Sequence, residues 1–406
     1  MKFYKILLLV IFLAVNLQLT AQVSVSGVFD STVSLGAGAG DAPAFNYGIE
    51  EYANIRMLAR IRDRARFEGA INFLAAAGNY AAAAGQMANL TILSTPFGIS
   101  YSSYISGQNY IAGIELERLF FRLNFEKADF EGGLLRIPFG FSQIWGSSDF
   151  LNPKNPIKPD ARPRGILGGG LYFYPSDSLK LTVFGAAPRD PFSEAGGGGF
   201  AGLSLDKHWD KASIQGLYSF ESPAENSRYG IHRGGLSVKA DLEVSLVMDA
   251  LYTYNHEAKT KEDGLSLSAG LDYSFKVGEH GKLGYMIFLT EYLYSGKSSS
   301  TAFDIEKNIL GGSNEHYLYT GLTWFFNDST NAGIALISCF DDISFTPIIK
   351  VNYDLFQGAT LILMAQVPLD RDLFSGSGKR GELGPLPPGS QVGNYFNFSA
   401  KLRLKF

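Results

Sequence analysis

Residues 394–406 constrain this chain most. From Phe396 onward the even positions are all apolar: Phe396, Phe398, Ala400, Leu402, Leu404 and Phe406. The odd positions between them, Asn397, Ser399, Lys401, Arg403 and Lys405, are polar. A period of 2 marks a β-strand with two unlike faces. The edge strand of a water-soluble β protein meets that description, and so does a strand standing between lipid and water. The rest of the chain has to decide between them.

The same alternation recurs along the chain. Ile55, Met57, Ala59 and Ile61 alternate with Asn54, Arg56, Arg60 and Arg62. Leu119, Phe121, Leu123 and Phe125 alternate with Arg118, Arg122 and Asn124. Leu246, Met248, Ala250 and Tyr252 form one face of a segment, and Leu267, Ala269, Leu271 and Tyr273 one face of the next. About 18 segments of this kind can be marked out, with 16–18 compatible with the pattern, each near the 9–11 residues that cross a bilayer at a tilt. After Ala21 no stretch approaches the length of an apolar membrane helix. If the chain spans a membrane it must therefore close into a barrel, where every backbone group finds a partner on a neighbouring strand.

The connections alternate in length. Long ones at 35–53, 76–109, 140–164 and 187–199 are separated by short ones at 63, 127–129, 175–177 and 206–210. A further long loop covers 368–393, and only Asp341-Asp342 is short where a long connection is due. Outer-membrane barrels have short periplasmic turns and long external loops, and an even strand number puts both chain ends on the periplasmic side. A water-soluble sandwich has no reason to sort its loops in this way. The reading is therefore an all-β, transmembrane antiparallel barrel over residues 22–406. Tyr172, Tyr174, Tyr252, Tyr254, Tyr292, Tyr294, Trp324 and Tyr353 fall near strand ends, where an aromatic girdle is expected.

With that pattern in place, the chain end resembles the assembly signal of Gram-negative outer-membrane β-barrels. The resemblance rests on Phe396, Phe398, Leu402, Leu404 and the terminal Phe406. It implies outer-membrane lipid and the barrel assembly machinery as partners. At the other end Lys2 and Lys5 precede an apolar run, 6–15, and a short segment ending on Ala21. This reads as a signal peptide over 1–21, with the mature chain starting near Gln22 and lodging in the outer membrane after cleavage.

The remaining composition excludes several functions. A net charge of −4 gives no reason to expect nucleic acid as a partner. The single cysteine, Cys339, rules out an internal disulfide and a cysteine-rich metal site. Gly296-Lys297-Ser298 ends like a phosphate loop, but Glu291 stands where the first glycine should be. The sequence holds no His-Glu-x-x-His and no nucleophile elbow. No catalytic, metal or cofactor site is expected.

Two features bear on function. Arg56, Arg60, Arg118 and Arg122, joined by Arg136, share the face opposite the apolar one and would line the lumen. A ladder of guanidinium groups there attracts anions; alternatively, Glu68, Glu115, Glu117 and Glu131 pair with it and the set is structural. The second feature is the loop carrying Trp145-Gly146-Ser147, Asp149 and Leu151-Asn152-Pro153, followed by Lys154, Lys158, Arg162 and Arg164 among prolines. With the preceding strand pair it resembles a segment of large porin-like barrels, in which a hairpin leads into a Trp-Gly-Ser element and a Leu-Asn-Pro turn. That resemblance implies a solute-conducting barrel. The loop either narrows the mouth or lies on the surface.

The expectation is thus a porin: a passive channel for small hydrophilic solutes with a mild anion preference. An adhesin or structural barrel presenting its loops is the alternative, as is a hydrophobic-ligand transporter of the fatty-acid type with 76–109 as its hatch. The pattern leaves monomer and homotrimer both open.

Overall fold

The computed structural model describes residues 22–38, 45–79, 102–107, 109–152, 165–187, 198–223, 229–255, 264–278, 283–296, 314–369, 383 and 394–406; for 102–106, 255 and 394–395 it describes the backbone alone. The expected signal peptide lies outside these residues. So do Lys154, Lys158, Arg162, Arg164 and most of the loops 76–109 and 368–393.

Nineteen strands are found among the described residues. The first five are β1 (Gln22–Gly38), β2 (Phe45–Ile61), β3 (Ala65–Gly78), β4 (Ser102–Ser106) and β5 (Tyr110–Asn124). Then come β6 (Ala128–Leu135), β7 (Ile166–Ser176), β8 (Leu179–Ala186), β9 (Phe200–Trp209) and β10 (Ala212–Glu221). Next are β11 (Ile231–Asp241), β12 (Ser245–Asn255), β13 (Leu265–Lys276), β14 (Tyr285–Ser295) and β15 (His316–Asn327). The last four are β16 (Thr330–Cys339), β17 (Ser344–Phe356), β18 (Ala359–Gln366) and β19 (Asn394–Lys405).

With β4 set aside, each strand pairs antiparallel with the next, β3 pairing with β5, and β19 pairs with β1, so the sheet closes into an 18-stranded barrel. The short β4 pairs with 111–115 of β5, above the place where β6 ends. Closure is secured at the seam. Gly27 and the terminal Phe406 exchange backbone hydrogen bonds of 2.7 and 3.1 Å, and the Phe406 ring lies where any side chain on residue 27 would stand. Beside them Arg403 grips Asp30 with two bonds of 2.8 and 2.7 Å.

The apolar face of each strand points outward. Val25, Ile49, Val183, Ile334 and Ile349 are exposed there, as are Phe396, Leu402 and Phe406 of β19. Tyr218, Tyr252 and Tyr254 ring one rim of this band, while Trp209, Tyr273, Phe275 and Tyr353 ring the other. The polar face points inward, where Asp30, Glu68, Asp129, Asp249 and Glu291 are buried.

Four departures from the sequence pattern have physical causes. The first hairpin is taller than expected: its alternation continues through Phe45, Tyr47 and Ile49, so β1 and β2 reach 17 residues each and take in most of the connection expected at 35–53. The long connection expected to begin at 140 starts instead after Leu135, because the chain there turns into the lumen. A β-bulge sits at Leu116–Arg118, opposite Ala70 and Ile71. It switches parity along β5, so that Glu115 and Arg118 both face inward.

The fourth departure is the largest. An inner face of polar residues and water is expected throughout, yet Phe184, Phe200, Leu217, Leu251, Leu293, Tyr317, Ile337 and Ile348 are buried on it. They are covered by the loop that follows β6, so part of the lumen is filled by protein rather than water.

Candidate functional site: an inward loop facing a charged wall

After Leu135 the chain leaves the wall and residues 137–152 pack across the interior. Phe139, Phe150 and Leu151 lie on Phe184, Phe200, Leu217 and Leu251. Trp145 lies on Leu293, Tyr317, Ile337 and Ile348, and Leu383 of the last long loop joins the same cluster.

Two carboxylates fix the path of the loop. Glu291, in the middle of β14 and fully buried, accepts hydrogen bonds from the backbone N–H groups of Gln143, Ile144 and Trp145 at 3.0, 3.1 and 2.9 Å. The Ser142 hydroxyl donates to it as well. Asp249 of β12 accepts from the N–H groups of Phe141 and Ser142, both at 2.9 Å. A charged acceptor holding several backbone donors is stronger than a neutral one and keeps its buried charge satisfied.

Small residues make room for these contacts. Gly140 has a φ of 81° and a side chain there would collide with the Asp249 carboxylate. A side chain on Gly270 would press on Glu291. Ser147 meets Ser268 at 2.7 Å, and Ser148 meets Ser237 at 3.3 Å. Trp145 and Asp149, singled out in the sequence, are both buried in this loop, which folds inward rather than over the surface. Gln143 instead reaches Asp272 of β13 at 2.8 Å on the exposed side of the loop.

The arginines stand on the other side. β13 is nine strands from β3 in either direction round the ring, so the β2–β3–β5 wall faces the loop across the lumen. Arg60, Arg66 and Arg122 lie side by side in one register row. Arg56 and Arg118 flank Ala70 in a second row, with Glu68 set between the two rows. Several of the guanidinium groups are paired. Arg56 meets Glu68 at 2.8 Å, and Arg118 meets Glu117 at 3.4 Å and Glu68 at 3.7 Å. Arg122 binds Glu131 at 3.1 Å and also Asp129, whose carboxylates accept from Tyr172 and Tyr174. Glu115 accepts from Asn72, and Glu117 from Asn54. Among the described residues Arg60 and Arg66 have no carboxylate within ion-pair distance. Arg136 lies one residue beyond β6, on the chain entering the lumen.

The structure sets Arg56, Arg60, Arg118 and Arg122 on adjoining strands, and it adds Glu291 and Asp249, which the sequence does not single out. The only trace of them is a lone carboxylate mid-strand, opposite glycine and serine rather than a base: Glu291 pairs with Gly270, and Asp249 with Ser237 and Ser268.

Closed ring, outward apolar band and inward polar face together define a transmembrane β-barrel of the outer-membrane type, its lumen narrowed by a loop. Solved structures of similar fold include Acinetobacter baumannii OccAB4, with a TM-score of 0.54 at 12% identity over 95% of this chain and 98% of that one. Pseudomonas aeruginosa OccD3 (OpdP) gives 0.55 at 8% identity over 95% and 91%, and the P. aeruginosa outer membrane protein OpdK gives 0.50 at 8% over 95% and 98%. No protein-family model matches the sequence, and neither does any curated protein.

Proposed function

We propose that this protein is an outer-membrane channel through which small hydrophilic solutes diffuse passively, without chemistry on the solute, and with a mild preference for anions. The observation that carries the reading is the pinned loop, which packs against one side of the lumen, opposite the arginine wall. A barrel of this strand number encloses water unless it is plugged. The preference for anions rests on Arg60 and Arg66, which have no carboxylate partner among the described residues, since the paired ones add little net field. Export by a cleaved signal peptide, delivery to the barrel assembly machinery through Phe396, Phe398, Leu402, Leu404 and Phe406, and assembly as a monomer or homotrimer belong to the same reading.

Planar-bilayer recording with the purified protein tests it. Discrete conductance steps are expected, with a reversal potential in a salt gradient shifted toward the anion's equilibrium value. A protein that inserts but yields no steps would sink the channel reading and leave a barrel that displays its loops.

A further inference from the structure

One sector of the wall is taller than the rest. β1 and β2 run for 17 residues, β3 for 14 and β5 for 15, whereas the other strands of the ring have 8–13. On β12, Tyr252 and Tyr254 mark the rim away from the short turns, seven and nine positions above the foot of the strand at Ser245. On β2 the foot is Ile61, and Ile49, Tyr47 and Phe45 stand twelve, fourteen and sixteen positions above it. A strand tilted by about 40° gains about 2.5 Å of height per residue, so these three stand roughly 8–18 Å higher than the tyrosine rim.

The extra height is apolar on its outer face. Ile49, Tyr47 and Phe45 are at least half exposed, as is Tyr110 of β5, and Val33 and Leu35 of β1 are exposed beside them. Register makes one patch of the six: Val33 stands opposite Ile49 and Leu35 opposite Tyr47, while Ala77 links Ile49 to Tyr110. Just below the patch, Glu51 shares the parity of Ile49 and accepts a hydrogen bond from Ser31 at 2.8 Å. It stands ten positions above Ile61, about the length that crosses a bilayer. A charged group facing hydrocarbon is costly, so Glu51 marks where the lipid ends. The patch above it lies outside the hydrocarbon, and the carboxylate repels acidic headgroups that could cover it.

We propose that this patch is the contact between copies of the chain in a cyclic homo-oligomer whose axis runs along the membrane normal. Copies in one membrane share their orientation and meet side by side, so each brings its upper apolar tier to the same height as its neighbour's. A partner free in solution has no such constraint. With about 150–250 Å² in a whole aromatic side chain, the six residues expose on the order of 500 Å² together, near the limit for a patch left uncovered. Contact continued down the same wall over Ile55 and Phe73, both exposed, approaches the roughly 800 Å² per partner of a stable interface. Closed symmetry then turns the tall sectors toward one another and leaves the lower strands to lipid. The inference rests on the barrel standing in a membrane. Conductance, not particle mass, tests the channel.

Light scattering of the mature barrel in mild detergent should give a particle of more than one chain. Tyr47→Lys with Ile49→Glu should reduce it to a single chain and leave the conductance of each barrel unchanged. In membranes, Tyr47→Cys treated with a short bis-maleimide should join copies. Tyr252→Cys should not, because β12 lies nine strands from β2 in either direction round the ring. A single-chain particle from the unaltered protein, or equal joining at both sites, overturns the proposal. So does a Tyr47→Cys thiol shielded in a single-chain particle, which would mean that the same chain covers the patch. If the double variant does not fold, the mass of the unaltered protein and the two cysteine sites still decide.

Discussion

Trp145 and Glu291 are joined twice. The Trp145 backbone N–H donates to the Glu291 carboxylate at 2.9 Å, and its indole Nε1 donates to the Glu291 backbone carbonyl at 2.8 Å. One residue of the wall thus holds both the backbone and the side chain of the loop. The aromatic ring is then pressed on Tyr317, with ring centroids 5.8 Å apart.

Glu291→Ala should release the loop from this anchor. It leaves several loop donors buried and unmet, each costing about 1–3 kcal/mol, and relief comes only if the segment swings into water. Single-channel conductance should rise and become noisier, while Glu291→Gln, which keeps one acceptor oxygen, should fall between. Wild-type conductance in the alanine variant would show that the loop does not narrow the path.

Gly140→Val tests the same anchor from the loop side. The backbone there is in the left-handed region at φ 81°, and a side chain would strike the Asp249 carboxylate. A β-branched residue at such a φ is a strained outlier. The barrel should still form, with Trp145 fluorescence shifted to longer wavelength as the loop loosens.

Charge removal on the opposite wall should separate paired from unpaired arginines. Arg60→Gln with Arg66→Gln removes two arginines that have no carboxylate partner among the described residues and should move the reversal potential toward the cation side. Arg56→Gln leaves Glu68 still in contact with Arg118 at 3.7 Å. Its effect on selectivity should be smaller than that of the double variant. Equal shifts from both would mean that ion pairing does not screen the wall.

The seam should govern unfolding. Asp30→Ala removes the carboxylate that Arg403 holds by two bonds and that Lys401 meets at 3.9 Å. Because Arg403 is partly exposed, the loss is estimated at about 1–3 kcal/mol, below that for a fully buried pair. Gly27→Leu would displace the Phe406 ring from its place on the strand. Both variants should convert from the compact to the unfolded form at lower temperature on semi-native gels.

The outward face was open to reading from residue order alone, because lipid imposes one rule on every strand: side chains facing hydrocarbon are apolar at period 2. Tyr252 and Tyr254 at one rim, Leu246 and Met248 between, and Phe396 to Phe406 on the last strand all obey it. The inward face has no such single solvent. Where it meets water it carries Arg60 and Arg66; where it meets the loop it carries Phe184, Leu251 and Ile337, and a local pattern cannot tell which sector is which. Glu291 anchors Trp145 across 146 residues of sequence, and Arg233 reaches Phe150 from a distant strand. Sequence by itself determined that a barrel forms, roughly how many strands it has and which side of each faces lipid. Only the folded ring decided what fills the interior, because closure sets strands far apart in the chain against one returning loop, and the partners of that loop are chosen by position around the ring.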